Sequence, residues 1–208
     1  MFFRFAPNLA LSLAIAFMVA GCSNSGTTRL ASTETRNANG FTIQESKSVG
    51  FRVNSQFEEA NQAIADGNLA RGIDLLIKVT GDSPGFASAH INLAIAYQQA
   101  EKLAEAEAAL RKAIDANPRH PVAHNELGIV YRRTGRFAKS RESFEVALEL
   151  QPTFHFARKN LAVLCDLYVA DLPCALKNYR IYFETDPSSE SVAIWIADLE
   201  GRIKRKGG

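Results

Sequence analysis

The sequence carries almost no net charge: 24 Lys and Arg against 22 Asp and Glu leave +2 over 208 residues. A balance that close removes the main electrostatic reason to expect nucleic acid or an acidic partner. The sequence pI of about 8.5 reflects that balance rather than a basic surface. Gly-rich loops of the phosphate-cradling kind and nucleophile motifs of known form are missing, so neither cofactor nor catalytic set is expected. A stretch fit to cross a bilayer is also missing. The best candidate, Phe5 to Ala20, is 16 residues long and contains Pro7 and Asn8, whereas a spanning helix needs about 20 apolar residues. What is present, 47% hydrophobic and 22% charged residues, excludes a wholly disordered chain and a polytopic membrane protein. At this length one domain, or one short array of repeats, is expected.

The N-terminus reads as an address. Arg4 precedes an apolar run from Leu9 to Ala20, broken only by Ser12, and Val19-Ala20-Gly21-Cys22 closes it. Those four residues resemble the lipobox of bacterial lipoproteins. The resemblance implies a signal peptide over 1–21, a diacylglycerol on the Cys22 thiol and cleavage before it. Ser23, rather than Asp, implies sorting to the outer membrane, facing the periplasm. Residues 22–50, rich in Ser, Thr, Asn and Gly and without apolar period, read as a flexible tether. Within it Phe41, Ile43 and Val49, with Phe51 and Val53 beyond, hint at a short strand or a clamp on the first helix.

Beyond the tether the chain repeats itself. Pro84, Pro118, Pro152 and Pro187 are spaced by 34, 34 and 35 residues. In the same register Leu93, Leu127 and Leu161 align, then the small residues Ala94, Gly128 and Ala162, then Tyr97, Tyr131 and Cys165. A second set follows: Ala106, Ser140 and Ala175, then Leu110, Phe144 and Tyr179. These columns resemble the tetratricopeptide repeat over about residues 53 to 187. The fold expected is all-α: a solenoid of four helix hairpins over 51–187, with a C-terminal capping helix and basic tail over 188–208. In the capping helix Val192, Trp195, Ile196, Leu199 and Ile203 fall at helical spacing, with Trp195 as a core anchor. Arg202, Lys204, Arg205 and Lys206 read as a solvated tail.

Few residues invite a chemical reading. His90 and His124 share one repeat column, a packing position. His120 and His124 are four apart, but Pro121 starts the helix after His120, so no metal site is expected. Cys165 and Cys174 flank the enlarged turn of the fourth hairpin, either as a disulfide or as two buried thiols.

The resemblance implies binding on the concave face, lined by the first helix of each hairpin. By column this gives Ile91, Asn92, Ile95, Gln98 and Gln99, then Asn125, Glu126, Ile129, Arg132 and Arg133, then Lys159, Asn160, Val163 and Asp166. Amides can pair with the backbone of an extended peptide, and Ile91, Ile95, Ile129 and Val163 offer pockets. Capture of a C-terminal carboxylate is not expected, because Phe57 stands where the family places Lys, and Val122 and Glu126 where it places basic residues. Together these readings suggest a non-enzymatic, lipid-anchored scaffold for a peptide or helix of another envelope protein. The hairpin LAVLCDLYVADLPCALKNY and the closing AIWIADLE resemble accessory proteins of TonB-type energy transduction. Secretin-assembly lipoproteins of type IV or Flp pili share the layout, and a regulator of cell-wall hydrolases is a further alternative.

Overall fold

The computed structural model describes residues 33–36, 42–45, 49–185 and 187–207. The signal segment and Cys22 lie outside the described residues. Inside the segment read as a tether, β1 (Thr33–Arg36) and β2 (Thr42–Glu45) form an antiparallel hairpin, Thr33 opposite Glu45 and Arg36 opposite Thr42. Phe51 and Val53 are not strand residues; they begin the first helix.

Helices then alternate with short turns. They are α1 (Phe51–Ala65), α2 (Leu69–Asp82), α3 (Ala87–Gln99), α4 (Leu103–Ala116), α5 (Pro121–Arg133), α6 (Phe137–Leu150), α7 (His155–Leu167), α8 (Leu172–Thr185) and α9 (Glu190–Gly207). None of the described helices is long and apolar enough to cross a membrane. Each odd helix pairs with the even helix that follows, and each even helix packs on the next odd one. The small column permits the first contact and the large column fills the second. Ala94 and Ala162 are fully buried, and so is Leu110, while Phe144 and Tyr179 fill the large column in the next two hairpins. Gly128 shows how close the helices come. A Cβ built there would lie 2.6 Å from Phe144, and Ser140 Oγ donates to the Gly128 carbonyl at 2.8 Å.

The turns repeat as strictly as the helices. Gly67, Glu101, Gly135 and Ala170, one per hairpin, all have positive φ, at 82°, 58°, 75° and 54°. Two of the four lack glycine, and an L-residue in that region costs about 1–2 kcal/mol. Ala170 is exposed, so its side chain contributes little packing there. Ala170→Gly should raise stability by about 0.5–1 kcal/mol, net of the added freedom of the unfolded chain. Thermal unfolding of the two proteins measures this, and an unchanged or lower midpoint would contradict it. Glu101→Gly should gain less, because Glu101 also pairs with Arg133.

A second recurring device explains the histidine column. His90 Nε2 lies 3.0 Å from the Pro84 carbonyl and His124 Nε2 lies 2.9 Å from the Pro118 carbonyl. Arg158 takes the same place in the next unit and donates to the Pro152 carbonyl at 3.0 Å. Each side chain satisfies a carbonyl that proline's arrest of the previous helix leaves open.

The C-terminal segment departs from expectation in two ways. Helix α9 continues to Gly207, so the basic cluster is its last turn rather than a tail. Arg202 is no solvated end either: it pairs with Asp166 of α7 at 2.7 Å. Val192 and Leu199 are the fully buried anchors of α9, whereas Trp195 is 37% exposed. Its ring leans on Tyr179, centroids 5.3 Å apart. The indole thus lies at the edge of the array, between Tyr179 of α8 and the Lys159 ammonium of α7, the latter 5.9 Å away.

Candidate functional site

Helices α1, α3, α5 and α7 touch one another in sequence along one side of the array, the side on which the tetratricopeptide resemblance leads one to expect binding. The amides expected there to meet a ligand instead meet one another. Asn92 Nδ2 donates to Asn61 Oδ1 at 2.8 Å, tying α3 to α1. Asn160 Nδ2 donates to Asn125 Oδ1 at 2.9 Å, tying α7 to α5. Between these lies Glu126, whose two carboxylate oxygens accept from Asn125 Nδ2 and Gln98 Nε2, both at 3.0 Å. Burial pushes the Glu126 pKa up, against the pull of those two donors and of Arg132. The result is a polar seam that sews α3, α5 and α7 together.

This corrects the sequence reading in one respect. Ile91, Gln98, Asn125 and Glu126 are buried; they hold the seam and the core and present no surface to a partner. The other residues expected in the groove keep some accessible surface. Asn92, Ile95, Ile129, Arg132, Lys159, Asn160, Val163 and Asp166 are half-buried, and Gln99 and Arg133 are exposed. Ile95, Ile129 and Val163 occupy one column, so the groove offers an aliphatic side chain at each step between neighbouring helices. Such helices lie about 8–10 Å apart. Polar groups flank that stripe unevenly. Arg133 is engaged by Glu101 and by the Gln98 carbonyl, the latter at 3.1 Å. Arg132 lies over the Tyr168 ring at 5.8 Å, with Nη1 buried and without a hydrogen-bond partner, and burial lowers its pKa. The Lys159 ammonium sits over Tyr182 and Trp195, at 5.5 and 5.9 Å.

Away from the groove, the Cys165 and Cys174 sulfurs are 2.05 Å apart and form a disulfide between α7 and α8. Cys165, Asp171 and Cys174 are the group of potential metal ligands that cluster among the described residues; with the sulfurs bonded to each other, neither thiolate is available. His120 and His124 do not form a pair. His124 faces the Pro118 carbonyl, while His120 is buried with both ring nitrogens unpartnered.

Models of the tetratricopeptide repeat match residues 63–112 and 91–153. This is a tetratricopeptide-repeat fold. The solved structures it resembles include a thermophilic tetratricopeptide protein of Thermus thermophilus (23% identity, TM-score 0.61, covering 71% of this chain and 80% of that one). The pilF protein of Pseudomonas aeruginosa is another (21% identity, TM-score 0.66, 74% and 69% covered). A third is the first tetratricopeptide domain of Spaghetti bound to the HSP90 peptide SRMEEVD (23% identity, TM-score 0.53, 55% and 90% covered). Among curated proteins none matches the chain. The tetratricopeptide columns extend past both matched segments: the fourth hairpin, outside them, keeps the Leu161, Ala162 and Tyr179 positions and the same helix pairing.

Proposed function

We propose that this protein is a non-enzymatic scaffold that holds a peptide or helix of another envelope protein in its concave groove, while acyl chains on Cys22 keep it at the outer membrane on the periplasmic side. The observation that carries the reading is the half-buried stripe of Ile95, Ile129 and Val163 along a face whose amides already brace the helices. A surface preorganised in this way loses little conformational freedom on binding. The solved domain of Spaghetti, bound to a peptide, supports a peptide as the kind of ligand. The disulfide between Cys165 and Cys174 suits an exported protein. The lipobox-like Val19-Ala20-Gly21-Cys22 supports the anchor. Within this reading the resemblance of the fourth hairpin and of AIWIADLE favours an accessory of a TonB-type system, with pilus assembly as the alternative.

The groove test must spare the seam. Asn92→Ala would also break the tie to Asn61, so Ile95→Gln with Ile129→Gln is the cleaner probe. Affinity capture from membranes should recover an envelope protein on the native chain, and recovery on the double variant should fall about tenfold or more. That follows if each isoleucine contributes about 1 kcal/mol of burial. Equal recovery on both proteins would count against the groove.

A further inference from the structure

Helix α9 stands where the first helix of a fifth hairpin would stand, and among the described residues no helix covers its outer face. Counting forward from Gly128 by the repeat spacings of 34 and 35 reaches Ala162 and then Ala197. At Gly128 this position faces the partner helix of its own hairpin at the closest approach, as Phe144 and the Ser140 hydroxyl show. Ala94 and Ala162, in the same column, are fully buried. Ala197 keeps the small side chain, yet it is exposed. Around it the outer face of α9 presents Ala193 and Ile194, the latter 67% exposed, and the half-buried Gly201. This face is opposite the stripe of Val192, Ile196, Leu199 and Ile203 that packs on the array.

The charges on α9 indicate what fills the slot. Its first turn carries Glu190 and its last turn Lys204, Arg205 and Lys206. Glu190 lies seven residues before Ala197 and Lys204 seven after it, two turns in each direction. The two acidic residues between them are already engaged by this chain: Asp198 with Arg202 and Glu200 with Arg180. A helix of this layout is self-complementary when it meets its own copy head to tail. With a two-fold axis through Ala197, each Glu190 comes opposite the other chain's Lys204, and Ala193 comes opposite Gly201.

The geometry points to a two-fold dimer in which α9 of a second copy lies antiparallel on α9, in the place that the second helix takes in the hairpins of the array. Antiparallel is also the sense in which each hairpin of the array pairs its own helices. The contact is one helix pair about 27 Å long, well below the area of a standard stable interface, so the dimer dissociates in the micromolar range.

Sedimentation of the full chain in mild detergent, from 1 to about 300 µM, tests this. The native chain should shift from monomer mass to twice that mass. Ala197→Arg should remain monomeric throughout, with unchanged helical content, because Ala197 is exposed in the monomer. Glu190→Lys should weaken association several-fold, and Glu190→Lys with Lys204→Glu should restore it. A native chain that stays monomeric to 300 µM overturns the proposal, as does an Ala197→Arg chain that dimerises like the native one. Failure of the double charge exchange to restore association overturns the antiparallel register.

Discussion

Replacing His120 by Phe should stabilise the protein by about 2 kcal/mol at neutral pH and reduce its sensitivity to mild acid, to which His90, also depressed by burial, contributes in the same direction. His120 lies two residues after Pro118, in the place that Phe86 and Phe154 take after Pro84 and Pro152. Both phenylalanines are buried in the joints between hairpins, and His120 is 2% exposed in the equivalent joint. Its two ring nitrogens find no hydrogen-bond partner, a loss of about 1–3 kcal/mol for a buried polar group. Phenylalanine fits the same slot twice elsewhere in this array, which limits the strain of the larger ring. Burial, with the nearby His124 adding to it, depresses the His120 pKa to about 4. The unfolded chain, with an ordinary imidazole near 6.5, therefore binds more protons between those two values. Stability is fully present above about pH 6.5 and falls as pH drops toward 4, by up to about 3 kcal/mol at the lower end.

The measurement is thermal unfolding at pH 7.5 and 4.5, followed by circular dichroism. For a chain of this size 1 kcal/mol moves the midpoint by about 2–4 °C. The native protein should lose several degrees between the two pH values, and His120→Phe should start higher and lose less. Equal pH dependence in both proteins would show that the acid response originates elsewhere. Glu107 is separable from it. Arg136 first, then Arg111, holds its carboxylate down to about 2, so its contribution is present above about pH 4.5 and fades only below that, as pH falls toward 2.

His120 also shows how far the sequence reaches. Its column is visible in the proline spacing, because the residue two places after each proline is aromatic in the hairpins on either side. The four-residue spacing of His120 and His124, which invites a metal reading, hides this. The helices and their pairing are equally legible, since each follows from residues repeated at a fixed interval; of the four positive-φ turns only the two with glycine, Gly67 and Gly135, carry such a signal. The seam is not. Its bonds join residues separated by 31, 35 and 28 positions, not by 34, because neighbouring helices are staggered. Columns alone therefore place Gln98, Asn125 and Glu126 on the groove surface. Trp195 is misplaced for a related reason. Helical spacing shows an amphipathic α9, but Trp195 stands 35 residues after the half-buried Asn160, at the edge of the packed side beside Lys159, and how far that edge is covered is a tertiary fact that spacing along one helix does not contain.

The second large effect should come from reducing the Cys165–Cys174 bond, and it should be confined to one end of the molecule. Cys165 stands in the column of Tyr97 and Tyr131, and Cys174 in the column of Lys139. In the third hairpin those two columns meet across the helices as the Lys139 ammonium over the Tyr131 ring, 5.8 Å away. Arg111 adds a hydrogen bond to the same tyrosine at 2.9 Å and Arg136 stacks on it at 4.4 Å. The fourth hairpin has lost the large ring and with it that web of contacts. It also carries the longer turn, where Ala170 takes the left-handed conformation. A covalent bond between the same two columns replaces the missing packing. By chain entropy a loop of this length contributes about 3 kcal/mol. Asp171 assists from inside the loop, accepting from the Cys174 N–H at 3.1 Å and pairing with Arg141 of α6 at 2.8 Å. On reduction, hydrogen exchange should accelerate in α7, α8 and α9, and little in α1 to α4, because each hairpin in a solenoid is coupled chiefly to its neighbours. Cys165→Ser with Cys174→Ser should reproduce the pattern and lower the unfolding midpoint by roughly 6–12 °C. If oxidised and reduced proteins exchange alike in α7 to α9, the bond is incidental, and the Arg141–Asp171 pair with the core around Tyr179 must hold the last hairpin by itself.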